Sequence, residues 1–504
     1  MADDLTLPYG GQQEADAQEL DYSPGLEAGY AEPYSLNDVL NDELDTRLRL
    51  ATWLPLALLW TILLLIDWKG PQLYLVIPFS LCLVVALLVH PVNIPLVVIM
   101  GYYAPLELGF WRPYVMVFIV AVFCAFIRNY GGRMVRSSWH KLSVVAALFT
   151  LYQFASIVLA SNAELGLDFA MRYLQGWMLL VVLLAFLDSR RMTVGVLKGV
   201  AILAGMALLI GVIFYLNRNG MWLTEVYNVL REKTAEKFRL EAGFGDTGRL
   251  IWAGTEPNYW AGQLLFPLGL AIGLMGASRK TGSRMFWLAV GIAILVGILG
   301  TYSRSGFVSL VLMGLFLLAR RRGRAMIPIA ALTVAFFVAL AVIPQLRERY
   351  LGIQENLQVQ GGSGRFMLWA AGINLWLGSP LLGNGPGSFS ATTGRAIHNA
   401  YIQVATDGGI IALGLYLVLI GMGLTAWVRV SKLAKAMGNR RLQWLAEGCL
   451  AGMVGMLLQM GTISAEDPRT LWMAIAFGVQ LWLSLRRDVS YEQQVAQYEA
   501  APAA

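Results

Sequence analysis

"MFWLAVGIAILVGILGTYSRSGFVSLVLMGLFLLA", Met285 to Ala319, holds two apolar runs back to back. The first covers 285–302 and the second 304–319. Each has close to the roughly 20 residues that a helix needs to cross about 30 Å of hydrocarbon. Between them there is room only for a tight turn, and that turn carries an arginine, Arg304.

Working outward, similar runs recur from Ala51 to Leu485. The whole chain of 504 residues is 57% hydrophobic and 14% charged, with a mean hydropathy of +0.59. A water-soluble chain would carry about a quarter charged residues. The expected fold is therefore all-α, a polytopic integral membrane protein.

The spans fall at approximately 51–67, 72–90, 92–106, 113–128, 141–160, 171–188, 194–216, 258–277, 285–302, 304–319, 325–344, 401–427, 443–462 and 470–486. That makes about 14 transmembrane helices, an even number, so both termini share one side. Basic residues choose the side: Arg128 to Lys141, Arg190 to Lys198, Arg279 to Arg284, the run "RRRGR" at 320–324, Arg429 to Arg441, and Arg486 with Arg487. All fall on one face, which the positive-inside rule makes cytoplasmic. The formal charge of +6 then anchors the protein in its membrane and implies no nucleic acid.

The organisation that results is an acidic disordered cytoplasmic tail (1–47), N-terminal spans (48–216), a periplasmic loop (217–257) and further spans (258–344). A large periplasmic loop (345–400), C-terminal spans (401–487) and a short cytoplasmic tail (488–504) follow. The first 46 residues hold twelve Asp or Glu and no Lys or Arg, and no signal peptide begins them. Cys82, Cys124 and Cys449 lie in or beside apolar runs without metal or redox spacing, as small core residues.

"GGSGRFMLWAAGINLWLGSPLLGNGPGSF", 361–389, is too broken by Gly and Pro to span, and too apolar to be a plain linker. Phe366, Trp369, Ala370, Ile373, Trp376 and Leu377 repeat at helical spacing, which predicts an interfacial helix lying in the outer boundary of the bilayer. The Gly-Pro punctuation behind it turns the chain back toward the next span.

Positive residues on the outer side run against the topology rule. They include Arg249, Arg304, Arg347, Arg349, Arg365 and Arg395. Such a residue either snorkels to lipid headgroups or presents its planar fork to phosphate oxygens. Near Glu256, Asn258 and His398 with Asn399, these arginines would make a site for an anionic, membrane-bound diphosphate. His398 stands before a span start, where an imidazole either is structural or takes a proton from a sugar hydroxyl. No metal-binding constellation, Walker loop or nucleophile elbow is present. Glu466 to Arg469, "EDPR", reads as an interfacial ion pair. The spans hold almost no mid-membrane charge, Gln263, Gln459 and Gln480 being the main polar exceptions, which argues against a transporter.

Four pieces in order, "GRLIWAGTEPNYWA", "TYSRSGF", "GRFMLWAAGINLWLGSPLLGNGPGSF" and "HNAYIQVATDGGIIALG", resemble the O-antigen ligase and O-antigen polymerase superfamily over roughly residues 245 to 425. The resemblance implies a periplasm-facing glycosyltransferase of the bacterial inner membrane that uses neither a metal nor another cofactor. Its donor would be an undecaprenyl-diphosphate-linked glycan, and its partners membrane lipids, a flippase, and chain-length or export proteins. Carried over residue by residue, the diphosphate clamp falls on Arg304, Arg365 and Arg249, and the catalytic His on His398. Asn399, Tyr401, Glu256, Asn258 and Ser303 would support them. The family's Gly-x-x-Gly after the His-Asn pair reads Gly409-Ile410-Ile411-Ala412 here. The expected activity is polymerisation of repeat units of an exopolysaccharide or O-antigen. The alternatives are ligation of the finished glycan to lipid A core or protein, and transport of a lipid-linked oligosaccharide.

Overall fold

The computed structural model describes residues 131–187, 189–216, 257–320, 363–463 and 469–499, the pairs 241–242 and 248–249, and helical positions 95 and 99. The tail 1–47, the spans read at 51–67, 72–90, 113–128 and 325–344, and most of 92–106 and 217–257 lie outside the described residues. The helices are α1 (Gly131–Ser138), α2 (Lys141–Ala155, continued by a 3₁₀ turn Ser156–Leu159), α3 (Ala163–Phe186), α4 (Arg190–Leu216), α5 (Pro257–Ala277), α6 (Thr281–Gly300) and α7 (Arg304–Arg320). They continue with α8 (Ser363–Gly378), α9 (Ser388–Thr393), α10 (Ala400–Ala436), α11 (Arg440–Met460) and α12 (Arg469–Glu499). Apart from these, β1 (Glu241–Ala242) and β2 (Gly248–Arg249) form one short antiparallel pair.

Every span read within the described residues coincides with a helix. Lys141–Leu159, Ala163–Phe186, Pro257–Ala277, Thr281–Gly300 and Ala400–Ala436 are long and apolar enough to cross a membrane. Short polar residues mark the helix starts as capping chemistry requires. Asn162, Asn399 and Asn439 each accept a backbone N–H of the following turn, and His140 does so through Nδ1.

The core is built around α5, which is buried along nearly its whole length. It crosses α11 with backbone against backbone. A Cβ on Gly269 would stand 2.7 Å from Gly452 Cα, and one on Gly448 would stand 2.6 Å from Gly273 Cα. Small residues let helices approach this closely where lipid gives no hydrophobic drive, so dispersion at short range holds the crossing. The same device seats Trp472 against Gly176, Trp427 against Gly478 and Leu208 against Gly297.

Basic side chains gather at one end of the bundle. There Arg190 pairs with Asp488 at 2.5 Å, Arg441 donates to Ala277 O at 2.5 Å, and Arg320 donates to Ser431 Oγ at 3.4 Å. Two acids correct the expectation of almost uncharged spans. Asp407 in α10 and Glu447 in α11 are both buried, and each is held by a glutamine one turn earlier: Gln403 at 2.9 Å and Gln443 at 2.7 Å. A single carboxylate inside a long apolar run hardly moves a hydropathy average, so the span is legible and the acid is not.

Candidate functional site

The arginine-bearing turn and the histidine-bearing cap meet at the other end of the bundle, and the last turn of α11 joins them. Gln459, fully buried on α11, donates to Asn258 O at 3.1 Å and to Ser305 Oγ at 3.0 Å, and accepts from Ser309 Oγ at 3.2 Å. Ser303 Oγ lies 3.5 Å from Gln459 Nε2 and accepts Gly306 N at 3.1 Å, capping the first turn of α7. Two residues beyond Gln459, Gly461 O accepts Asn399 Nδ2 at 2.9 Å. Tyr401 donates its hydroxyl to Leu457 O at 2.8 Å. Asn258, Ser303, Asn399 and Tyr401 thus surround one helix end and bring Arg304 and His398 with them.

Asn399 earns its place by geometry. Its Oδ1 accepts Tyr401 N at 3.0 Å and Ile402 N at 3.1 Å while its Nδ2 reaches α11, so one side chain starts α10 and docks it.

Two residues depart from ordinary backbone. Tyr302 (φ 48°) and His398 (φ 58°) are the non-glycine residues with positive φ among the described residues, and both sit at this end. The left-handed region costs an L-residue about 1–2 kcal/mol, and strain of that kind collects where surrounding structure fixes a functional geometry. At Tyr302 it lets α6 reverse into α7 within three residues, leaving Arg304 as the first residue of the new helix. At His398 it falls just before the Asn399 cap of α10. The carbonyl of His398 accepts the Trp369 indole N–H at 3.2 Å.

That bond brings in α8. Trp369 stands one turn from Arg365, so both share a face of α8. Arg304 and Arg365 are half-buried, and no carboxylate pairs with either among the described residues. The α8 face bearing Gly372 packs on Ile397 and Ile402, while Phe366, Met367 and Leu377 are exposed. The helix read from the spacing of Phe366 to Leu377 is thus α8. Its placement in a lipid interface belongs to the proposal below.

Behind α8, residues 379–387 fold against a break in α10. Gly408 (φ −126°, ψ 16°) and Gly409 (φ 64°, ψ −164°) interrupt the helix, and the loop takes over its hydrogen bonds. Ile410 N donates to Pro380 O at 2.9 Å; Asn384 N and Gly385 N donate to Thr406 O and Asp407 O at 2.9 and 2.8 Å. Non-helical backbone at membrane depth is tolerated where protein buries it and satisfies its polar groups. The departure from Gly-x-x-Gly is absorbed locally, because the Ala412 methyl lies within van der Waals overlap of where a Cβ on Gly408 would be, in space that the glycine leaves open.

Part of the chain is similar to a known family. Residues 280–417 match the O-antigen ligase family model. Within the O-antigen ligase segment lie Ser303, Arg304, Arg365, His398, Asn399 and Tyr401, together with the α10 break. The match supports membership of the O-antigen ligase and polymerase superfamily, and with it a ligase- or polymerase-like function of a membrane protein. No curated protein matches the chain.

Outside the O-antigen ligase segment, Asn258 joins the site through its carbonyl, Glu256 lies outside the described residues, and Arg249 occupies β2 opposite Glu241. Gln459 and Gly461 hold the site together and were not singled out by motif. A polar side chain in the last turn of a span was the available signal. No group of three or more His, Cys, Asp or Glu that could hold a metal ion occurs among the described residues.

Proposed function

We propose that the chain is a periplasm-facing glycosyltransferase that takes a glycan from undecaprenyl diphosphate and joins repeat units into an exopolysaccharide or O-antigen. The observation that carries this reading is that Ser303 and Asn399, the chain neighbours of Arg304 and His398, both bond the last turn of α11, within a segment matched to the O-antigen ligase family. Cleavage of the C1–O bond moves negative charge onto the diphosphate. Guanidinium groups fixed before the reaction stabilise that charge more in the transition state than in the ground state. Arg304 and Arg365 would hold the diphosphate, with Arg249 as a third donor. His398 would accept the proton of the attacking sugar hydroxyl. One direct displacement at C1 inverts the anomeric configuration. The exposed apolar face of α8, seated in the outer boundary of the bilayer, would cover the reacting bond and keep water from it.

Ligation is the second reading, favoured by the family description itself. One reconstitution separates the two. Purified protein in lipid is given an undecaprenyl-diphosphate repeat unit as its sole glycan, and products are resolved by size. A ladder without added acceptor supports polymerisation. No ladder, with a shifted band once lipid A core is supplied, assigns ligation. No product under either condition sinks both and returns the chain to the transport reading.

A further inference from the structure

The loop that repairs α10 also fixes where α8 stands, and one side chain does most of that work. Asn384 Nδ2 donates to Leu375 O at 2.9 Å, among the last carbonyls of α8, which have no partner within their own helix. The same nitrogen donates to Thr406 O at 3.2 Å, a carbonyl released by the break in α10, and that oxygen also accepts Asn384 N at 2.9 Å. Asn384 O in turn accepts Ser388 Oγ at 2.5 Å, whose oxygen receives Ser161 N at 3.1 Å from the turn before α3. The neighbouring Leu382 carbonyl accepts the Tyr152 hydroxyl at 3.1 Å. Near the middle of α8, Trp369 donates to His398 O, and one turn further on Gly372 O accepts Thr406 Oγ1 at 3.1 Å. The helix bearing Arg365 is therefore tied, at its middle and at its C-terminal end, to α10 and to His398 just before it.

We propose that Asn384 is a positioning residue, whose amide joins the C-terminal end of α8 to the α10 break and so sets Arg365 at a working distance from His398. This rests on the roles assigned to Arg365 and His398 above. Asn384 touches neither substrate nor reacting atoms, and acts through the geometry of the two groups that do. Both donated bonds need an amide N–H. A carboxylate of the same shape can make neither, and would set negative charge against two carbonyl oxygens.

The test is Asn384→Asp in the full chain, purified in lipid nanodiscs. It is read by hydrogen–deuterium exchange of peptides spanning 380–385 and 406–411, and by transfer kinetics per folded molecule with the lipid-diphosphate donor. The expected result is exchange faster by about tenfold in these two peptides, as for the loss of one stabilising hydrogen bond. With it goes a fall in kcat of about a hundredfold while KM for the donor stays near wild type, the mark of misplaced reacting groups. Unchanged exchange overturns the tie. Faster exchange with unchanged kcat overturns the positioning role and leaves Asn384 as a structural residue alone. Should Asn384→Asp fail to fold, Trp369→Phe loosens the tie at the middle of α8 and is held to the same readings. Failure of the underlying function looks different: Arg365→Ala and His398→Asn would then retain full transfer, whatever the exchange data show.

Discussion

Replacing Gly409 by alanine puts the α10 break to a direct energetic test. Gly409 combines φ 64° with ψ −164°, a region that side-chain-bearing residues hardly enter. Holding alanine there costs about 1–3 kcal/mol. The new methyl would also stand 2.8 Å from Gly383 N, and closer still to Leu381 O, so the loop must retreat. Overpacking of this kind costs about 1–3 kcal/mol more. The sum, about 2–6 kcal/mol, is a large part of the stability of an ordinary protein, about 5–15 kcal/mol. The measurement is the fraction of protein that stays monodisperse on size exclusion after graded heating in detergent. Gly414→Ala is the internal control. Five residues further along the same helix, a Cβ there meets nothing within 4 Å, and alanine should stabilise by up to about 1 kcal/mol. Opposite shifts for the two variants are expected. A Gly409→Ala midpoint equal to that of the parent would refute the claim that the break is an obligatory feature of the fold.

Arg304→Ala and Arg365→Ala should each lower transfer about 10²–10³-fold while the protein inserts at normal level, as expected for removal of one donor to developing negative charge; survival of activity in both removes the diphosphate clamp. His398→Asn should lower transfer about 10²–10⁴-fold if the imidazole is the base, and asparagine tolerates the left-handed backbone that alanine would strain, so the loss reports chemistry; a small loss reassigns His398 to orientation. Burial, helped by Lys141, holds the His140 pKa below its ordinary value of 6.5, and Nδ1 must stay unprotonated to accept Leu142 N. The unfolded chain therefore takes up the proton first, and thermal stability should be full above about pH 6.5 and fall as pH drops through it; a decline equally steep in His140→Asn would dissociate the effect from this residue.

The helices were legible because bilayer-length apolar runs leave little choice of structure, and "TYSRSGF" and "HNAY" showed where charged and polar groups interrupt them. Helix α8 was legible from its period, and its glycine-rich successor from turn chemistry. The pairing of that loop with the α10 break was not. Asn384 and Thr406 lie 22 positions apart, and backbone pairing between two irregular segments leaves no periodicity in the residues that make it. The part played by Gln459 escaped for a related reason. A glutamine inside a span looks the same whether it faces lipid, a cavity or two other helices, and only the packing tells which.

The glycine-lined crossing of α5 and α11 divides the molecule mechanically. Two backbones in contact have no side chains left to compress or swing, so that joint behaves as the fixed jaw of a vice, with Gln459 and Gly461 at its tip. The opposing jaw is α8, which packs one face on Ile397 and Ile402, is held by a few hydrogen bonds and leaves one flank uncovered. On the proposed reading, any travel needed to admit the lipid-linked donor would fall to that jaw, and the site would close from one side only.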